Sequence, residues 1–232
     1  MRPSWFSQKG RKRDRNCDAV AVGKKGHRLL AALVDGAEKG PHGAELARHW
    51  ADTVLHTLAA AACCSSTDVH TRLKKEQAQL RHDFPLDIAS YCMVALDLET
   101  LSTQVWHCGD CRVGLRQQTE TRWLTTPHIL AYQHGLPSSP SPEDQNRQTQ
   151  QLTRCLNAKR FRLPEYGVFS LQPDQILLLG TDGYWQEHLE AGTPWNRLKD
   201  DASLLTLPVA PRPLPRIEQT SDANNLRHIS HG

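Results

Sequence analysis

Long apolar runs are missing from this chain of 232 residues. No segment approaches the roughly 18–20 consecutive apolar residues that span a bilayer, and the N-terminal residues lack the apolar stretch of a secretory signal. Hydrophobic residues make up 38% of the chain and charged residues 23%, which is typical of a soluble globular protein. The sequence therefore predicts a cytoplasmic protein without a membrane partner, long enough to form one domain with a substantial core.

The common motifs of covalent catalysis and nucleotide binding are also missing, since the chain has neither a G-x-S-x-G sequence nor a P-loop. Seven cysteines are scattered along the chain, several of them inside apolar patterns, which favours reduced thiols over a disulfide framework. Cys108 and Cys111 have C-x-x-C spacing, but neither a helix start nor a second cysteine pair accompanies them. A redox or zinc role for this pair is therefore a minor alternative.

The positive charge of the chain is concentrated at its start. Residues 1–28 carry nine Lys or Arg and two Asp, a net charge of +7, whereas the whole chain carries +3. A basic segment of this kind can bind nucleic acid, but no interleaved aromatic residues or nucleic-acid motif accompany it. The sequence favours a solvated segment, or one arginine recruited to a phosphate site, and no nucleic-acid partner.

Acidic residues recur where predicted strands begin or end. The apolar run 176–179 leads to Asp182, the run 29–34 leads to Asp35, and residues 104–108 lead to Asp110. Asp200 precedes a further apolar run at 204–207. Asp18 begins a strand that forms a hairpin with the strand ending at Asp35, and antiparallel pairing places two such residues side by side.

The remaining pattern predicts an α+β domain over 1–207. An amphipathic helix follows residue 43, a charged helix covers 68–82, and a meander of antiparallel strands begins at residue 88. Residues 131–148 form a loop rich in Pro, Ser and Gln, and a short helix is predicted over 148–156. Residues 208–232 are predicted to be a disordered tail, because they are rich in proline and polar residues.

A cluster of carboxylates would have a specific chemical use. Crowded carboxylates repel one another, and cations that neutralise them stabilise the cluster. Ligands that are all oxygen favour Mg²⁺ or Mn²⁺ over zinc, and two such ions can activate a water for attack on phosphorus. The plain alternative is an α+β domain in which these residues only form Asp-Gly turns.

Seven motifs, in matching order over roughly residues 8–207, resemble the metal-dependent protein Ser/Thr phosphatases of the protein phosphatase 2C (PPM) family, in particular its short bacterial members. The motifs are 10–19 (G-x-x-R-x-x-N-E-D-A in the family), 34–36 (V-x-D-G), 108–112 (G-D-S-R), 124–128 (L-T-x-D-H), 152–156 (L-T-R-x-L-G), 179–185 (L-x-S-D-G-L-W) and 200–203 (D-N/D-x-T/S). The resemblance implies a four-layer αββα sandwich of two antiparallel sheets flanked by helices, with a binuclear metal site at one end.

The resemblance also implies roles for single residues. It implies two Mn²⁺ or Mg²⁺ ions and a weaker third one, with a metal-activated water attacking a phosphoserine or phosphothreonine without a phospho-enzyme. Arg13 would bind the substrate phosphate, and Asp18 would act through metal-bound water. The metal ligands that it implies are Asp35, the Gly36 carbonyl, Asp110, Asp182 and Asp200.

Three departures from the family pattern bear on activity. Cys17 stands where the family has a glutamate, Pro127 stands where it has an aspartate, and the interval from Asp182 to Asp200 is short. Cys17 and the short interval leave open an alternative function: a non-catalytic phosphatase-like domain that binds a phosphoprotein or a regulatory partner. The expected partners of the enzyme are a phosphorylated protein substrate and an opposing Ser/Thr kinase with its targets, and a monomer is expected.

Overall fold

The computed structural model of the protein describes residues 2–61, 65–132, 148, 151–210 and 216–230. Two helices, α1 (Gly43–Ala60) and α2 (Ser66–Asp83), are adjacent in the chain, and a π-helix, Gly183–Glu190, comes late. No described helix is long and apolar enough to cross a membrane. The strands are β1 (Ser4–Gln8), β2 (Asp18–Lys25), β3 (Arg28–Gly36), β4 (Ile88–Asp97), β5 (Ser102–Cys108), β6 (Arg112–Gln117), β7 (Glu120–Trp123), β8 (Leu156–Asn157), β9 (Glu165–Ser170), β10 (Ile176–Gly180), β11 (Ala202–Pro208), β12 (Glu218–Ser221) and β13 (Leu226–Ser230).

The strands form two sheets. One sheet has the order β12-β1-β11-β10-β6-β7, and the other has the order β13-β2-β3-β4-β5-β9 with β8 paired to β4. Most neighbours are antiparallel, as predicted, but β12 runs parallel to β1 and β13 runs parallel to β2. The sheets are therefore mixed rather than purely antiparallel, because these late strands return to the edges of both sheets.

Apolar residues on β10 show why the sheets stack. Leu177 and Leu179 join the core between the two sheets, whereas Ile176 and Leu178 pack on the opposite face, against Tyr184 and other residues of the outer layer. Successive side chains of a strand point to opposite faces, so a strand that is covered on both faces reads as a continuous apolar run. The run 176–179 is apolar throughout for this reason.

Helix α1 covers the other sheet. Its predicted stripe of Leu46, Trp50 and Val54 is fully buried and packs with residues such as Ala32 and Met93 of that sheet. Spacing of four residues keeps these side chains on one helix face. The predicted α+β sandwich is confirmed, with α1 and α2 on one side and the much smaller π-helix layer on the other.

The C-terminal segment was predicted to be disordered from residue 208, and that prediction is wrong for the strands β12 and β13, which join the two sheets. Asn225, between them, is fully buried and donates to the Asp18 carbonyl oxygen at 3.0 Å. Its side-chain oxygen accepts from the Trp5 indole at 3.0 Å. Polar side chains and a few scattered apolar ones, such as Ile217, anchor this segment without a periodic pattern, which is why its composition suggested a tail.

The region before β8 also differs from its prediction. A helix was predicted over 148–156, but among the described residues Leu152 forms a bridge with Ile129 and Leu156 begins the strand β8. Most of the loop predicted over 131–148 lies outside the described residues.

Candidate metal and phosphate site

The strand ends bring the predicted acidic residues to one end of the sandwich. Asp18 begins β2 and Asp35 lies at the end of β3, and the two are direct partners across the antiparallel ladder. Asp110 follows β5, Asp182 follows β10, and Asp200 precedes β11. Strands from both sheets thus deliver carboxylates to the same place, as the sequence predicted.

Electrostatic coupling shows that these groups face one another. Burial raises the pKa of Asp35 well above its ordinary value, and the charges of Asp18, Asp182, Asp110 and Asp200 raise it further. The pKa of Asp182 is raised in the same way, by burial first and then by Asp200, Asp110 and Asp18. A group of carboxylates that hinder one another's ionisation is a strong electrostatic trap for a cation.

Asp18 is the most enclosed member of the group, with 2% of its surface exposed. Its Oδ2 accepts from the Thr181 hydroxyl at 3.1 Å, whereas its Oδ1 is buried without a hydrogen-bond partner among the described residues. A buried carboxylate oxygen without a partner is costly, and a cation or its hydration water would satisfy it. The residues present therefore fit a hydrated divalent cation with oxygen ligands.

Gly36 permits the close packing of the β3 end against helix α1. A Cβ atom at this position would lie 2.1 Å from the Gly43 carbonyl oxygen, so a larger residue would push α1 away. The Gly36 N–H donates to the Cys17 carbonyl oxygen at 3.0 Å. These contacts hold Asp35 between two rigid elements.

Arg13 lies against the carboxylates rather than in open solvent. Its Nε donates to Asp200 Oδ1 at 2.6 Å, and its Nη2 donates to the other oxygen of the same carboxylate. Its Nη1 donates to Glu38 Oε2 at 2.9 Å, and the other oxygen of Glu38 accepts from the Asp14 N–H at 2.8 Å. These bonds raise the pKa of Arg13 and lower that of Glu38, so both stay charged.

Two neighbours of the acidic cluster, Asp201 and Cys17, shape its surroundings, and the role of Asp201 was not evident from the sequence. The buried carboxylate of Asp201 accepts from the N–H groups of Gly10, at 2.9 Å, and Cys17, at 2.8 Å, and so anchors the N-terminal segment beside Asp200. Burial raises the pKa of Cys17 to about 11. The thiol is therefore neutral near pH 7, and it supplies no charge where the family has a glutamate.

Asp110 is supported by a stack of aromatic and cationic groups. The Trp185 indole donates to the Asp110 carbonyl oxygen at 2.8 Å. Arg112 lies between two indoles, 4.5 Å from the Trp123 ring and 4.9 Å from the Trp185 ring, and pairs with Glu190 at 3.3 Å. A guanidinium held between two indole faces is a stable, largely desolvated cation.

A second polar cluster lies beside the Gly109–Asp110 turn. One ligand atom each from His107, His128 and Glu165 lies within 4.8 Å of the others, so the three could hold a metal ion. The imidazole rings are stacked, however, with planes 3° apart and centroids 4.5 Å apart. Ring-nitrogen lone pairs lie in the ring plane, so those of parallel rings do not converge on one ion. A ring would have to rotate to bind it.

The hydrogen bonds of these histidines indicate a structural role instead. His128 Nδ1 accepts from the Gly109 backbone N–H at 3.0 Å, and the backbone N–H of His128 donates to the Gly109 carbonyl oxygen at 2.9 Å. His107 Nε2 bonds to the Thr126 carbonyl oxygen at 2.9 Å, and Glu165 lies 3.0 Å from His128 Nε2. The cluster thus holds the turn that carries Asp110. The sequence alone gives no sign that His107 and Glu165 meet, since they are distant in the chain.

The sequence matches no protein-family model and no curated protein, but the structure resembles solved bacterial phosphatases. It matches the serine/threonine phosphatase Stp1 from Staphylococcus aureus with a TM-score of 0.73 and 17% identity over 89% of this chain and 94% of that one. The PPM Ser-Thr phosphatase MsPP from Mycobacterium smegmatis, in complex with cacodylate, matches with 0.63 and 20% identity over 90% and 99%. RsbX in complex with magnesium matches with 0.58 and 12% identity over 87% and 92%. The chain therefore has the fold of the bacterial PPM-type phosphatases, as the motif resemblance predicted.

Proposed function

We propose that this protein is a metal-dependent protein Ser/Thr phosphatase, which hydrolyses phosphoserine or phosphothreonine. The observation that carries the proposal is the cluster of four carboxylates at the end of a PPM-type sandwich, in which burial and the charge of Asp200 raise the pKa of Asp35, Asp110 and Asp182. Such a cluster attracts divalent cations, and its oxygen ligands favour Mn²⁺ or Mg²⁺. In the cytoplasm such an enzyme would oppose a Ser/Thr kinase by acting on its targets.

The metal ions would be held by residues at the ends of strands and in the turns next to them. Asp35, the Gly36 carbonyl, Asp182 and Asp200 would hold the two main ions, and Asp110 and Asp182 would hold the weaker third one. When bound, the ions supply the Lewis acidity that activates a water and neutralises the phosphate. Asp18, with its unpartnered buried oxygen, would orient the water around this set.

Arg13 would orient the substrate phosphate. A guanidinium has five N–H donors, and three are used by Asp200 and Glu38. The two that remain belong to a side chain that is 30% exposed, so a phosphate can reach them. Glu38 and Asp200 hold the Arg13 guanidinium from two sides. The side chain therefore loses less conformational entropy when a phosphate binds to it.

One observation favours a second candidate, the non-catalytic phosphatase-like domain. Arg13 is paired with both oxygens of Asp200, a carboxylate that the enzyme needs for metal. A guanidinium in that position neutralises part of the acidic cluster without a metal. The neutral Cys17 thiol adds no negative charge that would help the cluster to attract a metal ion. In that case the domain would bind a phosphorylated partner without hydrolysing it.

The two candidates differ in metal binding and turnover. Calorimetric titration with Mn²⁺ and hydrolysis of a phosphothreonine peptide with and without Mn²⁺ should both be positive for the enzyme. Asp182→Asn should abolish both signals, whereas Asp83→Asn, an exposed aspartate at the end of α2, should leave them unchanged. A folded protein that binds no Mn²⁺ would support the binding domain, and turnover that survives chelation would refute the metal mechanism.

A further inference from the structure

The basic N-terminal segment is fixed along one edge of the candidate site. The Arg11 N–H donates to the Leu198 carbonyl oxygen at 3.0 Å, and the Lys12 N–H donates to the Lys199 carbonyl oxygen at 3.1 Å. Gly10 packs closely on the turn that contains Lys199 and Asp200. A Cβ atom at Gly10 would lie 2.3 Å from the Asp200 backbone. The segment is therefore an ordered rim of the site.

This rim carries unpaired positive charge. Four exposed cationic side chains belong to it: Arg11 and Lys12 of the N-terminal segment, and Lys39 and Lys199 next to the partners of that segment, Glu38 and Asp200. Within the described part of the chain none of the four forms an ion pair with a carboxylate. Glu38, the neighbour of Lys39, is already paired with Arg13. Three carboxylates lie beside these cations: Asp14 is exposed without a described side-chain partner, Glu187 accepts from the Lys199 backbone N–H at 2.8 Å, and Asp222 accepts from the Lys9 backbone N–H at 2.6 Å.

Some other cations of the described surface are paired with carboxylates, whereas Lys74 and Lys75 on α2 are exposed and, like the rim cations, form no described ion pair. Arg15, which lies just beyond the rim, pairs with Glu45 at 3.2 Å, and Arg72 on α2 pairs with Asp68 at 2.9 Å. Like charges that are held together without counter-charges repel one another, and an anionic ligand relieves that repulsion. The rim thus favours a ligand that carries further negative charges next to its phosphate.

We infer that the site selects phosphorylated protein segments with acidic residues next to the phosphoamino acid. This inference rests on the proposed function for the position of the phosphate, beside Arg13. From there the flanking residues of an extended segment, spaced about 3.3 Å apart, run over the rim that Arg11 and Lys12 form. Residues 9–15 contain no aromatic side chain on which bases would stack, so a protein ligand fits this part of the chain better than a nucleic acid.

The expected selectivity is moderate because the charges are exposed. Each new pair of opposite charges at an exposed surface changes an equilibrium by about threefold at low ionic strength, and salt reduces this effect. A phosphopeptide with two flanking acidic residues, which pair with Arg11 and Lys12, should therefore bind roughly tenfold more tightly than its alanine counterpart. A counterpart with flanking lysines should bind more weakly than both.

The test uses three fluorescent phosphothreonine peptides of equal length, with Asp, Ala or Lys at the flanking positions. Binding of each peptide is measured by anisotropy at 50 mM and 500 mM salt, and hydrolysis is measured with Mn²⁺. The double variant Arg11→Glu/Lys12→Glu should bring the Asp-to-Ala affinity ratio close to one. The matched double variant Lys74→Glu/Lys75→Glu, on the exposed face of α2, should keep the native ratio.

Three results would overturn the inference: equal affinities for the three peptides, a preference that is the same in both double variants, or tighter binding of a single-stranded DNA oligonucleotide than of the acidic peptide. Failure of the proposed function is a separate result. It would appear as no hydrolysis of any peptide, or of a small aryl phosphate, in the presence of Mn²⁺. The binding measurement still decides the inference in that case.

Discussion

His107 should make the protein less stable in mild acid. This residue is 4% exposed, and its burial lowers its pKa from 6.5 to about 4, against a smaller raising effect of Glu165. The unfolded chain therefore binds a proton near pH 6.5 that the folded chain does not bind until about pH 4. The stability that the neutral imidazole contributes is present above pH 6.5 and is lost as the pH falls toward 4.

The two pKa values set the size of this effect. Between pH 7.5 and pH 5 the free energy of unfolding should fall by about 2 kcal/mol through His107 alone. For a chain of this length, that corresponds to a fall of roughly 4–8 °C in the melting temperature. Crowded carboxylates such as Asp35 have raised pKa values and act in the opposite direction. The contribution of His107 must therefore be measured as a difference between variants.

His107→Gln is the suitable perturbation. A glutamine amide can keep the donation to the Thr126 carbonyl oxygen, which His107 now makes at 2.9 Å, but it does not titrate. Urea unfolding at pH 7.5 and pH 5 should show a decrease in the free energy of unfolding that is about 2 kcal/mol smaller in this variant than in the native protein. His82→Gln, at an exposed position on α2, is the control. Equal pH dependence in the native protein and His107→Gln would refute the reasoning.

Three further predictions concern the candidate site and its support. Mn²⁺ at 100 times its dissociation constant should stabilise the native protein by about 2.7 kcal/mol, seen as a rise of roughly 5–10 °C in melting temperature; Asp182→Asn should lose this rise, and an equal rise in both would contradict the metal site. Glu38→Ala should raise KM for a small aryl phosphate by about three- to tenfold with a smaller change in kcat, because Arg13 loses one of its two partners; an unchanged KM would show that Glu38 does not position it. Asn225→Ala should lower the free energy of unfolding by about 2–3 kcal/mol in urea titrations, since it leaves buried partners such as the Asp18 carbonyl oxygen without a donor; a change below about 0.5 kcal/mol would contradict its role as an anchor.

Periodic elements were accurately predicted from the sequence. The stripe on α1 and the apolar run of β10 depend on which faces are buried, and burial leaves a repeat in the sequence that matches the helix or the strand. The acidic residues at strand ends were recognised because each apolar run stops where its strand ends, and the acidic residue stands next to that point. Their roles as metal ligands stay predictions.

Elements without a periodic signal were missed. The strands β12 and β13 are short and largely polar, and they are held by Asn225 and by pairing with strands near the start of the chain. The helix predicted over 148–156 is wrong for the described residues 151–156, where Leu156 instead begins the strand β8 on the edge of β4. In both places the contacts that decide the structure lie far away in the chain, so local propensity carries no trace of them.

The sequence by itself thus determined the sandwich and the identity of the carboxylates, because both follow from local patterns and from motifs in a recognisable order. Only the tertiary structure decided which residues contact those carboxylates and the turns that carry them. It paired Arg13 with Asp200 and Glu38, placed His128 under the Gly109–Asp110 turn, and laid the basic segment along the site as a rim. Charge interactions of this kind depend on distances between residues far apart in the chain, and only folding fixes those distances.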